Sequence, residues 1–351
     1  MPRSRTLTRA VAGAAALLAA LAPATAASAG ETRRTLPDHV FAPYFQSYTD
    51  ASPAAVSRAS GARYLTMAFL QTETTGSCEI LWNGDPAKPV SRSTFGADIA
   101  RIRATGGDVV PSFGGYSADS TATEIADSCT DVSRIAAAYQ KVITTYGVTR
   151  LDMDIEDLSL DNTAAVDRRN QAIHLVQRWA DREHRPLQIV YTLPTTPHGL
   201  EPNAINVLDS AIRYGARVDV VNIMTFDYYD DQPHDMAADT KTAAAGLVQT
   251  LHRLYPHRST RELWSMVGIT EMAGIDDYGS GGEPGPLEIF TPSAARDVTQ
   301  WAREHNIAEL SFWALGRDNG NCPGTAGSDD CSGVQQSPYQ FTHIMAPFTH
   351  H

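Results

Sequence analysis

Val148-Thr149-Arg150-Leu151-Asp152-Met153-Asp154-Ile155-Glu156 carries a carboxylate at every second position from Asp152 onward, in a run otherwise made largely of β-branched and apolar residues. Alternate side chains of a strand share a face. Asp152, Asp154 and Glu156 therefore line one side, and Leu151, Met153 and Ile155 the other. Burying an unpaired carboxylate costs several kcal/mol, and proteins keep rows of such groups mostly where perturbed protonation serves chemistry. An edge strand with a solvated acidic face is the alternative. The apolar partners, and further strands of the same kind, favour a central strand instead.

Working outward, strand-like runs at 40–45, 64–70, 108–113, 150–155, 188–193, 218–225, 263–269 and 310–314 alternate with helical patterns at 54–60, 95–105, 133–146, 164–183, 201–214, 237–254 and 292–305. Such alternation indicates a parallel α/β fold. Eight units, with no glycine-rich phosphate loop after the first strand, predict a (β/α)8 TIM barrel rather than a doubly wound sheet. In a barrel, polar residues at the C-terminal ends of strands form the mouth of the site. Those ends carry Tyr44, Gln46, Gln71, Ser112 with Gly114-Gly115, Glu156, Thr192, Asp227 with Tyr228, Thr270, Glu271 and Trp313. Carboxylates among aromatic faces suit a sugar, whose C–H faces stack while its hydroxyls take polar partners.

The N-terminus has Arg3, Arg5 and Arg9, an Ala/Leu-rich run and a small-residue end at Ala27-Ser28-Ala29, the pattern of a secretory signal peptide over residues 1–29. The domain layout expected is thus a leader and one catalytic barrel over 30–351, secreted, with no lasting membrane anchor. Removing the leader takes three arginines and no acids away, so the formal charge goes from −12 to −15. An acidic exterior argues against nucleic acid or anionic membranes as partners and is compatible with a neutral or cationic substrate. The four cysteines form an even set in a secreted chain. Cys322 and Cys331 bracket a Pro/Gly/Ser/Asp loop and can close it, leaving Cys78 for Cys129. The histidines show no H-E-x-x-H spacing and there is no G-x-S-x-G elbow, so neither a metal nor an organic cofactor is expected.

Four motifs in barrel order resemble glycoside hydrolase family 18, and within it the bacterial chitinase D-like enzymes: Ser112-Phe113-Gly114-Gly115, Asp152-Met153-Asp154-Ile155-Glu156, Met224-Thr225-Phe226-Asp227 and Ser311-Phe312-Trp313. The tail from Cys331 to Phe341 is similar to the same group. Three positions depart from the family pattern. Thr149 replaces its first Asp, Phe226 the tyrosine that holds the substrate acetamide, and Glu271 a common proline, where it is expected to add a charge at the mouth.

The resemblance implies a secreted, endo-acting chitinase that cuts β-1,4 bonds between N-acetylglucosamine units with retention, by substrate assistance. It implies Glu156 as acid/base, Asp154 as the group orienting the acetamide about 7 Å away along the strand, and Asp152 as a deeper carboxyl sharing a proton with Asp154. Trp313 is expected as the floor of the sugar subsite and Asp227 as support for the acetamide region. Tyr44, Ser112, Met224 and Phe226 complete the expected substrate contacts. Tyr228, two residues beyond Phe226, is expected to supply the missing hydroxyl, with Tyr191 as the alternative. Chitin or chitooligosaccharide is the partner implied, acted on by a monomer. An endo-β-N-acetylglucosaminidase for N-glycans and a non-catalytic lectin-like barrel are the competing functions.

Trp179, Trp264 and Trp301 read as core packing, and Trp82 as either a rim platform or a loop anchor. The short stretch between the last two strands leaves room for no extra domain, so an open groove is expected, with a mobile rim loop at Gly279–Gly282.

Overall fold

In the computed structural model eight parallel strands follow one another in chain order around a closed sheet. They are β1 (Val40–Phe41 and Tyr44–Gln46), β2 (Tyr64–Gln71), β3 (Asp108–Gly114), β4 (Arg150–Asp154), β5 (Gln188–Pro194), β6 (Val220–Met224), β7 (Val267–Met272) and β8 (Glu309–Trp313). The described residues are 1–2, 35–276, 286–325 and 328–350. The chain divides into two units, Met1–Thr32 and Arg33–His351, and all elements named here belong to the second. The leader expected over 1–29, beyond Met1 and Pro2, and the rim loop at Gly279–Gly282 lie outside the described residues.

Closure runs through an interrupted first strand. Pro43 has no N–H to give a ladder, and β1 is interrupted there. Its first arm pairs with β8 through Val40–Glu309 and Phe41–Leu310, and its second with β2 through Tyr44–Thr66 and Gln46–Ala68. One strand thus serves both neighbours and leaves the barrel no free edge.

Helices α1 (Pro53–Ser60), α2 (Gly96–Ala104), α3 (Val132–Tyr146), α4 (Thr163–Arg182), α5 (Pro202–Tyr214), α6 (Met236–Leu254) and α7 (Pro292–His305) lie between successive strands, and α8 (Gln340–Met345) follows the last. Helix α3 illustrates how sequence sets them. Asp131 caps its first turn by accepting from Ser133 N and Arg134 N, and Gly147 ends it at φ 66°. Between these, Ile135, Tyr139, Val142 and Tyr146 recur at helical spacing and are buried. Leu151, Met153 and Ile155 belong to the same core cluster as this stripe. Each such side chain contributes about 1.5–3 kcal/mol by leaving water. The apolar face of the acidic strand is therefore the outside of the barrel, and its carboxylates face the interior.

One expected strand is displaced. Leu263 and Trp264, read as the start of a strand at 263–269, lie in a short helix, Thr260–Trp264, because Ser259 and Glu262 form a reciprocal capping box. Trp264 packs edge-on against Trp301 of α7 at 5.5 Å, in the helical layer. Trp82 is a loop anchor: it is fully buried, and its Nε1 donates to Tyr146 Oη at 2.8 Å. The disulfides join Cys78 to Cys129 and Cys322 to Cys331. Among the described residues no helix is long and apolar enough to cross a membrane.

Candidate active site

Register sets the depth of each group in the barrel. Ser112 lies beside Asp152, and Gly114 beside Asp154 on one side with Thr192 on the other. Asp152 is thus one layer below Asp154. It is saturated there: Ser112 Oγ donates to Oδ2 at 2.6 Å, Tyr44 Oη to Oδ2 at 3.0 Å and Thr192 Oγ1 to Oδ1 at 2.6 Å. Asn222 Nδ2 extends the network, donating to Thr192 Oγ1 at 3.0 Å and Thr270 Oγ1 at 2.6 Å. Asp154 differs. It is buried, and its Oδ1 has no hydrogen-bond partner among the described residues.

This asymmetry decides where a shared proton sits. Burial raises the pKa of Asp152, but the bonds from Ser112, Thr192 and Tyr44 pull it back. Burial raises Asp154 well above the usual carboxylate range, and the neighbouring Glu156, Asp152 and Asp119 push it further with no compensating donor. A proton shared by the pair is thus favoured on Asp154, and the three donors favour the charge on Asp152. Tyr44 is also pushed well up, by burial and then by the charges of Asp152 and Asp154; it stays a phenol and a donor.

Above these groups opens a cleft of about 680 Å³. Asp154 and Glu156 reach it from β4, Tyr44 from β1, Met224, Phe226 and Asp227 from β6 and its loop, and Trp313 from β8. Trp313 is held on two sides. Phe69 stacks on it at 5.6 Å with planes 9° apart, and its Nε1 donates to Asp329 Oδ1 at 2.9 Å, while Tyr48 Oη donates to Asp329 Oδ2 at 2.9 Å. Asp329 belongs to the loop closed by Cys322 and Cys331, so that disulfide bounds the segment gripping the indole.

The two glycines after Phe113 are needed for close approach. A Cβ on Gly114 (φ +96°) would meet Asp154 O at 2.0 Å, and one on Gly115 (φ +84°) the Phe69 ring at 2.6 Å.

Three expectations are corrected by this geometry. Ser112 does not reach the cleft: it is fully buried on Asp152 and serves that carboxylate rather than the substrate. Tyr228 is not among the residues lining the cleft; Tyr229, 64% exposed, is. Alternation of faces ends with β6 at Met224, and Asp227 and Tyr229 both have positive φ, 54° and 52°, so counting by twos no longer applies. The Tyr228 ring packs 4.9 Å from His234. His234 itself bonds Asp230 through Nε2 and Asp239 through Nδ1, each at 2.9 Å. Tyr191, the alternative, donates to Asn170 Oδ1 at 2.7 Å on the helix side of β5.

Glu271 is the third. It adds no charge at the mouth, because its neighbours Thr270 and Met272 line the cleft while Glu271 turns outward, fully buried, to accept from Thr240 Oγ1 of α6 at 2.8 Å. Burial pushes its pKa from 4.5 up to about 8. The folded state thus keeps a proton that the unfolded chain loses between these pH values, so this group's contribution to stability falls as pH rises through that window. Replacing Glu271 by Gln is expected to flatten the fall of Tm between about pH 5 and 8, measured by thermal unfolding at each pH. An equally steep fall in the variant would refute the assignment.

Phe69, Tyr116 and Asp329 also line the cleft, and so does Tyr229, which continued alternation from Phe226 and Tyr228 would have pointed away from it. Phe69 lies at a strand irregularity, Tyr116 opens a short helix and Asp329 lies in a loop, and no periodicity marks any of them. Among the described residues no group of His, Cys, Asp and Glu is arranged to hold a metal ion.

The comparisons with known proteins agree with this geometry. Residues 40–265 match the model of glycosyl hydrolases family 18. A probable bifunctional chitinase/lysozyme of Escherichia coli (strain K12) is 31% identical over 91% of this chain and 36% of its own length. Endochitinase 11 of Metarhizium anisopliae is 29% identical over 82% of this chain and 54% of its own. The chain thus spans only part of either relative. Active domain 2 of a Pyrococcus furiosus chitinase superposes with a TM-score of 0.76 at 29% identity, covering 90% of this chain and 96% of that one. With the acidic strand inside a closed barrel and the family match running from β1 past β6, the chain belongs to glycosyl hydrolase family 18.

Proposed function

We propose that this protein is a secreted chitinase that hydrolyses β-1,4 bonds between N-acetylglucosamine units with retention, the substrate's own acetamide acting as nucleophile. One observation carries the reading: Asp154 Oδ1 is buried and unpartnered between a saturated Asp152 and the cleft-lining Glu156. A buried polar atom without a partner is costly, and an acetamide N–H of a bound sugar is the donor it lacks. That bond turns the acetamide oxygen toward the anomeric carbon. Glu156 gives its proton to the glycosidic oxygen, the C–O bond breaks, and the acetamide oxygen closes an oxazolinium ring. Glu156, now a base, takes a proton from water, which opens the ring from the opposite face and restores the starting configuration.

The surroundings support a neutral or cationic sugar chain. Among the described residues lining the cleft, Asp154, Glu156, Asp227 and Asp329 are acidic and none is Lys, Arg or His. Trp313 provides an apolar face for a pyranose. Between β7 and α7 the described residues form only a two-stranded ribbon, Gly274–Ile275 with Ile289–Phe290. Among the described residues this ribbon adds no second wall to the cleft, and an open groove favours internal cleavage. The two disulfides accord with an oxidising compartment.

Incubation with chitooligosaccharides and, separately, with a high-mannose glycoprotein tests the proposal. The expected result is release of mixed short oligomers, initially as the β-anomer, from the first substrate alone. Cleavage of the glycoprotein alone would identify an endo-β-N-acetylglucosaminidase. Binding without cleavage would identify a lectin-like barrel, and an initial α-anomer would overturn the mechanism.

The hydroxyl missing at Phe226 is assigned to Tyr229, the cleft-lining tyrosine of the same loop. Tyr229→Phe is expected to lower kcat about 10²-fold or more, as removal of a donor to developing charge does. Tyr228→Phe should leave kcat within about twofold and Tm unchanged or higher, because the Tyr228 hydroxyl is buried without a partner. The reverse pattern in steady-state kinetics would return the role to Tyr228.

A further inference from the structure

The backbone N–H of Glu156 lies just beyond the end of its strand. Gly115 N donates to Asp154 O at 3.1 Å and Ile155 N to Thr192 O at 3.0 Å, and these close the ladder on either side. After them β3 has turned away into the short helix Tyr116–Ser120, so no backbone acceptor continues past Gly115. The chain then bends sharply, with Asp157 at φ 40°, a region that costs a non-glycine residue energy. What meets the Glu156 N–H is a side chain: Asp119 Oδ2 accepts it at 2.5 Å.

Asp119 is itself firmly placed. Its N donates to Gly115 O at 3.1 Å, so the glycine pair that fits against β4 also aims this carboxyl at Glu156. Asp119 is 1% exposed, and its Oδ1 has no hydrogen-bond partner among the described residues. A buried carboxyl with an unsatisfied oxygen costs stability and has no use in the mechanism above. We propose that Asp119 is a positioning residue for the general acid: it holds the Glu156 backbone at the strand end, and when ionised its charge acts on the proton that Glu156 delivers.

The proposal rests on the chitinase reading. The charged groups around Asp119 are Glu156 and Asp154 of the acidic strand, Glu124 at the cap of the short helix Ile125–Ser128, and Arg169 of α4. Arg169 Nη2 is engaged by Glu124 at 2.7 Å and stands 3.8 Å from Asp127. The short helix Asp157–Asp161 carries Asp157 and Asp161, both exposed. Burial is the largest cause lifting Asp119 well above the usual carboxylate range, with Glu124 and Glu156 next. A neutral acid accepts the Glu156 N–H as an amide would, and ionisation at higher pH places a second negative charge beside the general acid.

The test measures kcat, KM, Tm and the pH profile of wild type, Asp119→Ala and Asp119→Asn on a soluble chitooligosaccharide. Asp119→Ala is expected to lower kcat about 10- to 100-fold with KM within about twofold, the signature of a displaced catalytic group. Asp119→Asn keeps an acceptor for the N–H and should restore kcat at the optimum to within about threefold. Its alkaline limb should move to lower pH, since one negative neighbour has been taken from the acid. An active wild type with Asp119→Ala unimpaired, or with an alkaline limb in Asp119→Asn that does not move, would overturn the assignment of Asp119 alone. A wild type that releases no product would overturn the chitinase reading and this proposal together.

Discussion

Glu156→Gln is expected to bind chitooligosaccharides as the wild type does and to hydrolyse them at least 10²-fold more slowly, since general acid catalysis contributes about 10²- to 10⁴-fold. The amide reproduces the shape of the carboxyl and cannot deliver the proton. The Glu156 backbone is tied to Asp119 and its strand is paired on both sides, so the fold has no reason to change. Single-turnover rates, binding by calorimetry and Tm together check this. Retention of more than about a tenth of wild-type turnover would remove Glu156 from the role of acid.

Asp154→Asn is the second large effect. Burial and its acidic neighbours favour the neutral form of Asp154 in the free protein, so an amide is expected to be tolerated and Tm should change little. The loss comes during reaction. As the oxazolinium forms, positive charge spreads over the acetamide; Asp154 passes its proton to Asp152 and, now ionised, accepts the acetamide N–H and stabilises that charge. Asn cannot ionise, so kcat should fall about 10²- to 10³-fold while KM changes little. Breaking the coupled pair should also change the acidic limb of the pH profile, which in the wild type reports Asp152 and Asp154 jointly. An Asn variant with wild-type kcat would rule out substrate assistance through this residue. A matched fall in kcat and rise in KM would make it a simple binding contact.

The barrel and its catalytic strand were legible because both rest on local periodicity. Asp152, Asp154 and Glu156 had to share a face whatever surrounded them, and Leu151, Met153 and Ile155 had to be covered by something apolar. The cysteine pairs were legible for a similar reason, one pair closing its own short loop. Beyond regular structure, periodicity no longer fixes the direction of a side chain. Tyr229 rather than Tyr228 lines the cleft because Asp227 and Tyr229 adopt positive φ beyond β6. Glu271 followed the strand rule, but its strand began four residues later than expected, behind a capped helical turn at Thr260–Trp264.

Distances between strands set the rest. Nothing in the order of residues says that Ser112, Tyr44 and Thr192 all donate to Asp152 while Asp154 is left with an open oxygen; that depends on register around the closed sheet. Asp119, in a short helix, and Asp329, in a loop, are carboxylates like many others in an acidic chain, and only the folded backbone brings one to the Glu156 N–H and the other to the Trp313 indole. Alternation along one strand is a property of covalent geometry and survives in any fold. Which carboxyl keeps its proton is a property of burial and neighbours, and those exist only once the barrel has closed.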